Sequence, residues 1–183
     1  MTARFQRAAP QQAPWFDDLT DGDVVPGRGR TITEADVVSF ATLTGDFHPQ
    51  HVDAAWSAEQ RFGERVAHGM LVASYAIGLL NLPFERIVAL RRVKDLTFKR
   101  PVRLGDTMRV AATVESLREL DDEAGMVACR VRIVDHEERL IARMVVEVLW
   151  RREPGVAGAT GPEESTSAAP EVPPATAFVA IPF

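Results

Sequence analysis

The sequence predicts an α+β domain: a curved antiparallel sheet packed against one buried helix. Three observations predict it. Short helical patterns come first, between residues 33 and 63. The stretch from Met70 to Leu82, "MLVASYAIGLLNL", is apolar nearly all round, with Ala73, Ser74, Ala76 and Gly78 mixed in, as in a helix buried on every side. From there to Arg152 the chain reads as strands joined by short turns. Helices followed by a run of strands is the α+β pattern, not the βαβ alternation of a parallel sheet.

Taken in order, residues 1–14 are a Gln-, Ala- and Pro-rich arm, and "WFDDLTDGDVVPGRG" carries turn signals at Asp21-Gly22 and Pro26-Gly27. Thr33, with Asp36 three residues on, reads as an N-cap with an acidic partner. Ala35, Val38, Phe40, Ala41 and Leu43 give a helix an apolar face from about Glu34 to Leu43, and Gly45 is placed to end it. "TGDFHPQH" is then the loop after that helix. "DAAWSAEQRFGE" predicts a second short helix capped by Asp53 and stopped by Gly63.

In the strand region "RIVALRRVKDLTFKRPV" is one long irregular run. "TMRVAATVESL" alternates Met108, Val110, Ala112 and Val114 against Arg109, Ala111, Thr113 and Glu115. "GMVACRVRIVD" and "RLIARMVVEVLW" alternate less strictly, and "RLGDT" and "DDEAG" read as hairpin connections. Residues 153–183 are rich in Pro, Ala, Gly, Ser and Glu and read as a flexible tail, with an apolar "FVAIPF" at the end as a candidate docking segment. The domain is therefore expected over residues 15–152.

The 183 residues suffice for one domain with a real core; 46% are hydrophobic and 26% charged, as in soluble globular proteins. A formal net charge of −5 argues against electrostatic binding to nucleic acid. A single cysteine, Cys129, allows no disulfide within the chain, which fits a reducing cytoplasm. The N-terminal residues lack a signal-peptide pattern, and no apolar run is long enough for a membrane span, so neither export nor membrane insertion is expected.

The chemistry concentrates in "TGDFHPQHVD", residues 44–53, which holds Asp46, His48, His51 and Asp53. Three readings meet there. A metal site would need a further ligand such as His68, and no HExxH or CxxC spacing supports it. A plain polar loop would use the acids as caps. An acid/base pair gains weight from "AHGML", where His68 and Gly69 open the buried helix: free N–H groups at a helix start can hold a developing oxyanion.

The runs "TGDFHPQHVD", "RFGERVAHGML" and "LTFKRPVRLGDT" together resemble the MaoC-like, R-specific enoyl-CoA hydratases of the hot-dog fold, over about Phe16 to Trp150. Their loop reads Gly-Asp-x-Asn-Pro-x-His-x-Asp; Gly45, Asp46, Pro49, His51 and Asp53 match, and His48 stands in the Asn position. Residues 67–71 match a second element, and Phe98, Pro101, Val102, Gly105 and Asp106 a third.

The resemblance implies a sheet wrapped around one helix, about Gly69 to Asn81, and a homodimer joined edge to edge. It implies a hydro-lyase adding water to a 2-enoyl thioester or removing it from a 3-hydroxyacyl thioester. Asp46 and His51 would hold the water, the Gly69 N–H would bind the thioester oxygen, and His48, Ser74 and His68 would line the site. No metal or cofactor is implied beyond the substrate's carrier, coenzyme A or an acyl carrier protein. Arg91, Arg92, Lys94, Lys99, Arg100 and Arg103, with Asp95 the single acid among them, are candidates for the carrier's phosphates. The rival readings are a non-catalytic thioester-binding subunit and a hot-dog thioesterase.

Overall fold

The computed structural model describes residues 13–155. Five antiparallel strands form one sheet in the order β1-β3-β4-β5-β2: β1 (Val24–Thr31), β2 (Ile87–Phe98), β3 (Thr107–Glu119), β4 (Ala124–Val134) and β5 (Leu140–Arg151). Among the described residues four α-helices precede β2: α1 (Glu34–Thr44), α2 (Pro49–Val52), α3 (Ala54–Ala58) and α4 (Gly69–Leu79). No helix among the described residues is long and apolar enough to cross a membrane.

Helix α1 begins and ends where its sequence signals lie. The Thr33 hydroxyl accepts from the Asp36 N–H while the Asp36 carboxylate accepts from the Thr33 N–H, closing a capping box. Gly45 ends the helix with φ +79°, in the left-handed region that glycine enters without a Cβ clash. Asp53 caps α3, its carboxylate accepting from the Trp56 N–H.

The predicted alternation of β3 holds: Met108, Val110, Ala112 and Val114 are buried. They join Val127, Val131, Ile133, Met144, Val146 and Val148 from β4 and β5, and Leu71, Val72, Ala73 and Ala76 from α4, in one core. Each fully buried Val, Leu, Ile or Met side chain among them contributes about 1.5–3 kcal/mol. The irregular run predicted for β2 is a strand with three register shifts against β5, and Asp95 there has φ +55°.

Three local expectations change. Pro26-Gly27 is not a turn: it lies inside β1, at a register shift against β3. An edge strand tolerates a proline, and a Cβ on Gly27 would stand 2.3 Å from the Val110 carbonyl oxygen. The loop after α1 contains a single helical turn, α2, with His48 at its N-cap and Pro49 in its first turn. Helix α4 is buried on one side only; Met70, Ser74 and Gly78 form an exposed stripe four residues apart.

Residues 13 and 14 contact the domain. The Ala13 carbonyl accepts from Arg86 Nε, and the Pro14 carbonyl accepts from the indole N–H of the buried Trp150. The "FVAIPF" segment lies outside the described residues.

Candidate active site

The site is built where α2 meets the segment leading into α4. The Val66 N–H donates to the Gln50 carbonyl, and the Ala67 N–H donates to the Val102 carbonyl, tying residues 66–67 between α2 and the sheet-side connection. This places His51, at the end of α2, against Val66. His51 Nδ1 lies 2.7 Å from the Val66 carbonyl oxygen. A carbonyl only accepts, so Nδ1 carries the proton and Nε2 of the neutral ring is a bare lone pair.

His68, the residue before α4, stacks on His51 with ring centroids 3.7 Å apart and planes tilted by 26°. Its Nε2 lies 3.0 Å from the Asp46 backbone carbonyl and by the same argument donates to it. His51 and His68 are only 7% and 3% exposed. Asp46 is exposed, and its carboxylate accepts from the His48 N–H two residues on at 3.3 Å. One carboxylate oxygen of Asp46 and one ring nitrogen each of His51 and His68 fall within 4.8 Å of one another. A water whose two hydrogen bonds of about 2.8 Å meet near the tetrahedral angle bridges groups roughly 4.6 Å apart. A separation of at most 4.8 Å between the Asp46 carboxylate and a His51 ring nitrogen is within the reach of one bridging water.

The same three residues offer a metal ion less. A zinc ion sits in the plane of each imidazole that binds it, about 2.0–2.1 Å from nitrogen. Two stacked rings tilted by only 26° have planes that meet well beyond that bond length. His48 is engaged elsewhere: its Nδ1 accepts from the Gln50 N–H at 3.1 Å and its ring meets Trp56 edge-on at 5.4 Å.

Electrostatics favour a base. Burial pushes the His51 imidazole below its ordinary value; the Val66 hydrogen bond opposes this, His68 reinforces it, Asp46 opposes it, and His48 adds to it.

The His68 side chain does not cap α4, and among the described residues its opening N–H groups, Gly69 among them, have no side-chain partner. The missing Cβ of Gly69 makes room for an aromatic ring: a Cβ there would stand 2.9 Å from the Phe98 ring. Ser74 is not brought to the dyad. It is exposed and lines a groove with Arg28, Arg30 and Tyr75.

The basic residues divide. Arg92 and Lys94 both pair with Glu147, and Arg103 lies 2.6 Å from Glu64. Arg100 donates to the Leu140 carbonyl, and Arg91 and Lys99 have no carboxylate partner among the described residues.

One polar cluster was not foreseen. Asp36 Oδ1 accepts from the Tyr75 hydroxyl at 2.6 Å and from Arg30 at 2.5 Å, and the Arg30 guanidinium lies over the Tyr75 ring. The sequence carried only the capping-box half of Asp36's role.

The MaoC like domain model matches residues 17–135, which include every residue of the dyad, its stacked histidine and the start of α4. The chain belongs to the MaoC-like dehydratase family. Among curated relatives it is 38% identical to the MaoC protein of Klebsiella aerogenes over 60% of this chain, and spans 35% of that protein. It is 35% identical to an (R)-specific enoyl-CoA hydratase of Rhodospirillum rubrum, over 56% of this chain and 71% of that one. Among solved structures, a monoamine oxidase regulatory protein from Archaeoglobus fulgius superposes with a TM-score of 0.73 at 32% identity, covering 78% of this chain and 97% of the other. A Mycobacterium tuberculosis protein with a double hot-dog fold superposes with a TM-score of 0.74 at 24% identity, over 90% of this chain and 53% of the other, a likeness of fold. The hot-dog fold and the MaoC-like hydratase/dehydratase family expected from the three motifs are thus found.

Proposed function

We propose that this protein is an R-specific hydro-lyase, adding water across the double bond of a 2-enoyl thioester and, in reverse, dehydrating the 3-hydroxyacyl thioester. The observation that carries the reading is the Asp46–His51 pair, spaced for one water, with the bare Nε2 of His51 turned into a base by the Val66 carbonyl.

The steps follow from that geometry. Water held between the Asp46 carboxylate and His51 Nε2 attacks C3 of the enoyl thioester as Nε2 takes its proton. The C2–C3 π electrons move onto the thioester oxygen, and the resulting enolate is stabilised by the Gly69 N–H at the start of α4. The proton on His51 is then delivered to C2 as the enolate collapses to the thioester. Asp46 orients the water and stabilises the transient imidazolium. Each acid/base function is worth roughly 10²–10⁴-fold and an oxyanion donor about 10²–10³-fold.

The R configuration is supported by the (R)-specific name of the Rhodospirillum rubrum relative. For the carrier, coenzyme A or an acyl carrier protein, Arg91, Lys99 and Arg100 are the phosphate candidates left without a carboxylate partner. The working unit is a homodimer. The edge strand β2 exposes Val88, Leu90 and Val93 beside a backbone edge unpaired among the described residues, and a second copy pairing there would remove both. Separate incubation with the two enantiomers of 3-hydroxybutyryl-CoA tests the stereochemistry. Enoyl-CoA should form from the R substrate alone; formation from the S substrate would overturn the assignment.

A further inference from the structure

We infer that His68 is a positioning residue of this site, joining the Asp46 loop to the start of α4 and fixing the ring plane of His51. The inference rests on the hydro-lyase reading for its kinetic consequences, but the contacts stand without it.

Three observations converge on His68. Its Nε2–H donates to the Asp46 carbonyl, twenty-two residues back in the chain. Its ring covers the face of His51 at 3.7 Å. Its Nδ1 is buried with no hydrogen-bond partner among the described residues. An unpartnered buried nitrogen destabilises the fold, so an apolar residue of similar volume would serve packing better. What an apolar residue cannot supply is the N–H donated to Asp46. Phe40 holds the ring from another side, with centroids 5.1 Å apart. His68 is thereby packed between Phe40 of α1 and His51 of α2, and tied to the loop between those helices that carries Asp46.

Two effects on catalysis follow. Without the tie, Asp46 itself keeps, among the described residues, only two local bonds of 3.3 Å, from the His48 N–H to its carboxylate and from its own N–H to the Thr44 hydroxyl. The water-holding span between Asp46 and His51 then loosens. The titratable groups that face His51 are Asp46 from the loop after α1, His48 from the start of α2 and His68 from the segment before α4; of these His48 and His68 disfavour its protonation. Removing the His68 ring should therefore let His51 protonate at higher pH.

The test compares His68→Leu with His68→Gln, whose amide N–H can donate to the Asp46 carbonyl. With crotonyl-CoA, kcat should fall at least about tenfold in His68→Leu with little change in KM, and His68→Gln should recover most of that loss. In both variants the acid limb of kcat/KM should move to higher pH. Equal rates in the two variants, or an unmoved acid limb, would overturn the proposal. A readout independent of activity is the ¹⁵N spectrum of the wild-type imidazoles: His68 in the Nε2–H tautomer supports the tie to Asp46, and the Nδ1–H tautomer refutes it. If the wild type does not hydrate crotonyl-CoA while His68 shows the Nε2–H tautomer, it is the hydro-lyase reading that fails and not the tie.

Discussion

The His51 imidazole donates from Nδ1 to the Val66 carbonyl at 2.7 Å, and Val66 in turn is held by the Gln50 carbonyl through its N–H. The His51 ring and the carbonyl that orients it are held by one short backbone segment. Catalysis should therefore depend on the neutral His51 ring. Burial lowers its protonation equilibrium below the ordinary 6.5, with Asp46 opposing and His48 and His68 assisting. Activity should stay flat through neutrality and fall only as pH drops below about 6.5, as Nε2 takes a proton. A pH–rate profile checks this; an acid limb centred well above that value would show that His51 is not held neutral.

Asp46→Asn should lower kcat by at least about a hundredfold, the low end for a general acid or base. The fold should survive, because Asp46 is exposed and its carboxylate makes one long local hydrogen bond. Circular dichroism and single-turnover kinetics on the same preparation separate the two effects. A folded variant with near-normal turnover would remove Asp46 from the dyad.

His48→Asn should be mild. His48 caps α2 by accepting the Gln50 N–H, and Asn is among the best N-caps, so its side-chain oxygen can take the same bond. His48 also disfavours His51 protonation, with ring centroids 6.2 Å apart. Turnover should stay within severalfold, the acid limb should move slightly upward, and the chain-length preference is free to shift with the smaller side chain. His48→Ala should lose the cap, at a cost of about 1 kcal/mol in stability. Loss of turnover as deep in His48→Asn as in His51→Ala would mean that the two histidines have been assigned in the wrong order.

Much of the fold was legible because its signals are local. Thr33, Asp36 and Gly45 mark α1 within the residues that form it, and the strict alternation of β3 reports its buried face directly. Pro26-Gly27 misled because a turn dipeptide also suits a bulged edge strand, and only the closeness of Val110 separates the two. α2 is one turn long, too short for any periodicity. Asp46, His51 and Gly69 were readable as motif residues, whereas the His51–His68 stack joins residues brought together by the tie of Val66 and Ala67 to Gln50 and Val102. The Arg30–Asp36–Tyr75 cluster was equally hidden, since Tyr75 lies thirty-nine residues from Asp36 and meets it only when α4 packs beside α1 and β1.

That cluster makes a prediction of its own. Burial alone would raise the Asp36 carboxyl, but hydrogen bonds from Tyr75, Thr33 and Arg30 hold it well below the ordinary 3.8. A carboxylate depressed on folding contributes stability that is complete above its unfolded value and is lost as pH falls toward the folded one. Unfolding free energy from this group should thus be steady above about pH 4 and decline below it. Asp36→Asn should cost about 1–3 kcal/mol at neutral pH, since Arg30 and Tyr75 lose their charged acceptor. Denaturant titrations of both proteins across the acid range should converge at low pH; a gap that stays constant would mean that the charge of Asp36 does not contribute.

The central claim, that Asp46, His51 and the start of α4 hydrate an enoyl thioester, is tested most directly with crotonyl-CoA and two simultaneous readouts. Loss of the enoyl-thioester absorbance reports hydration, and a thiol reagent reports free coenzyme A. The account predicts that absorbance falls to the hydration equilibrium while no thiol is released, and that His51→Ala slows the loss by at least about a hundredfold. Release of thiol in step with the absorbance change would identify a thioesterase. No change in either signal would leave a thioester-binding protein without the chemistry, and contradict the account.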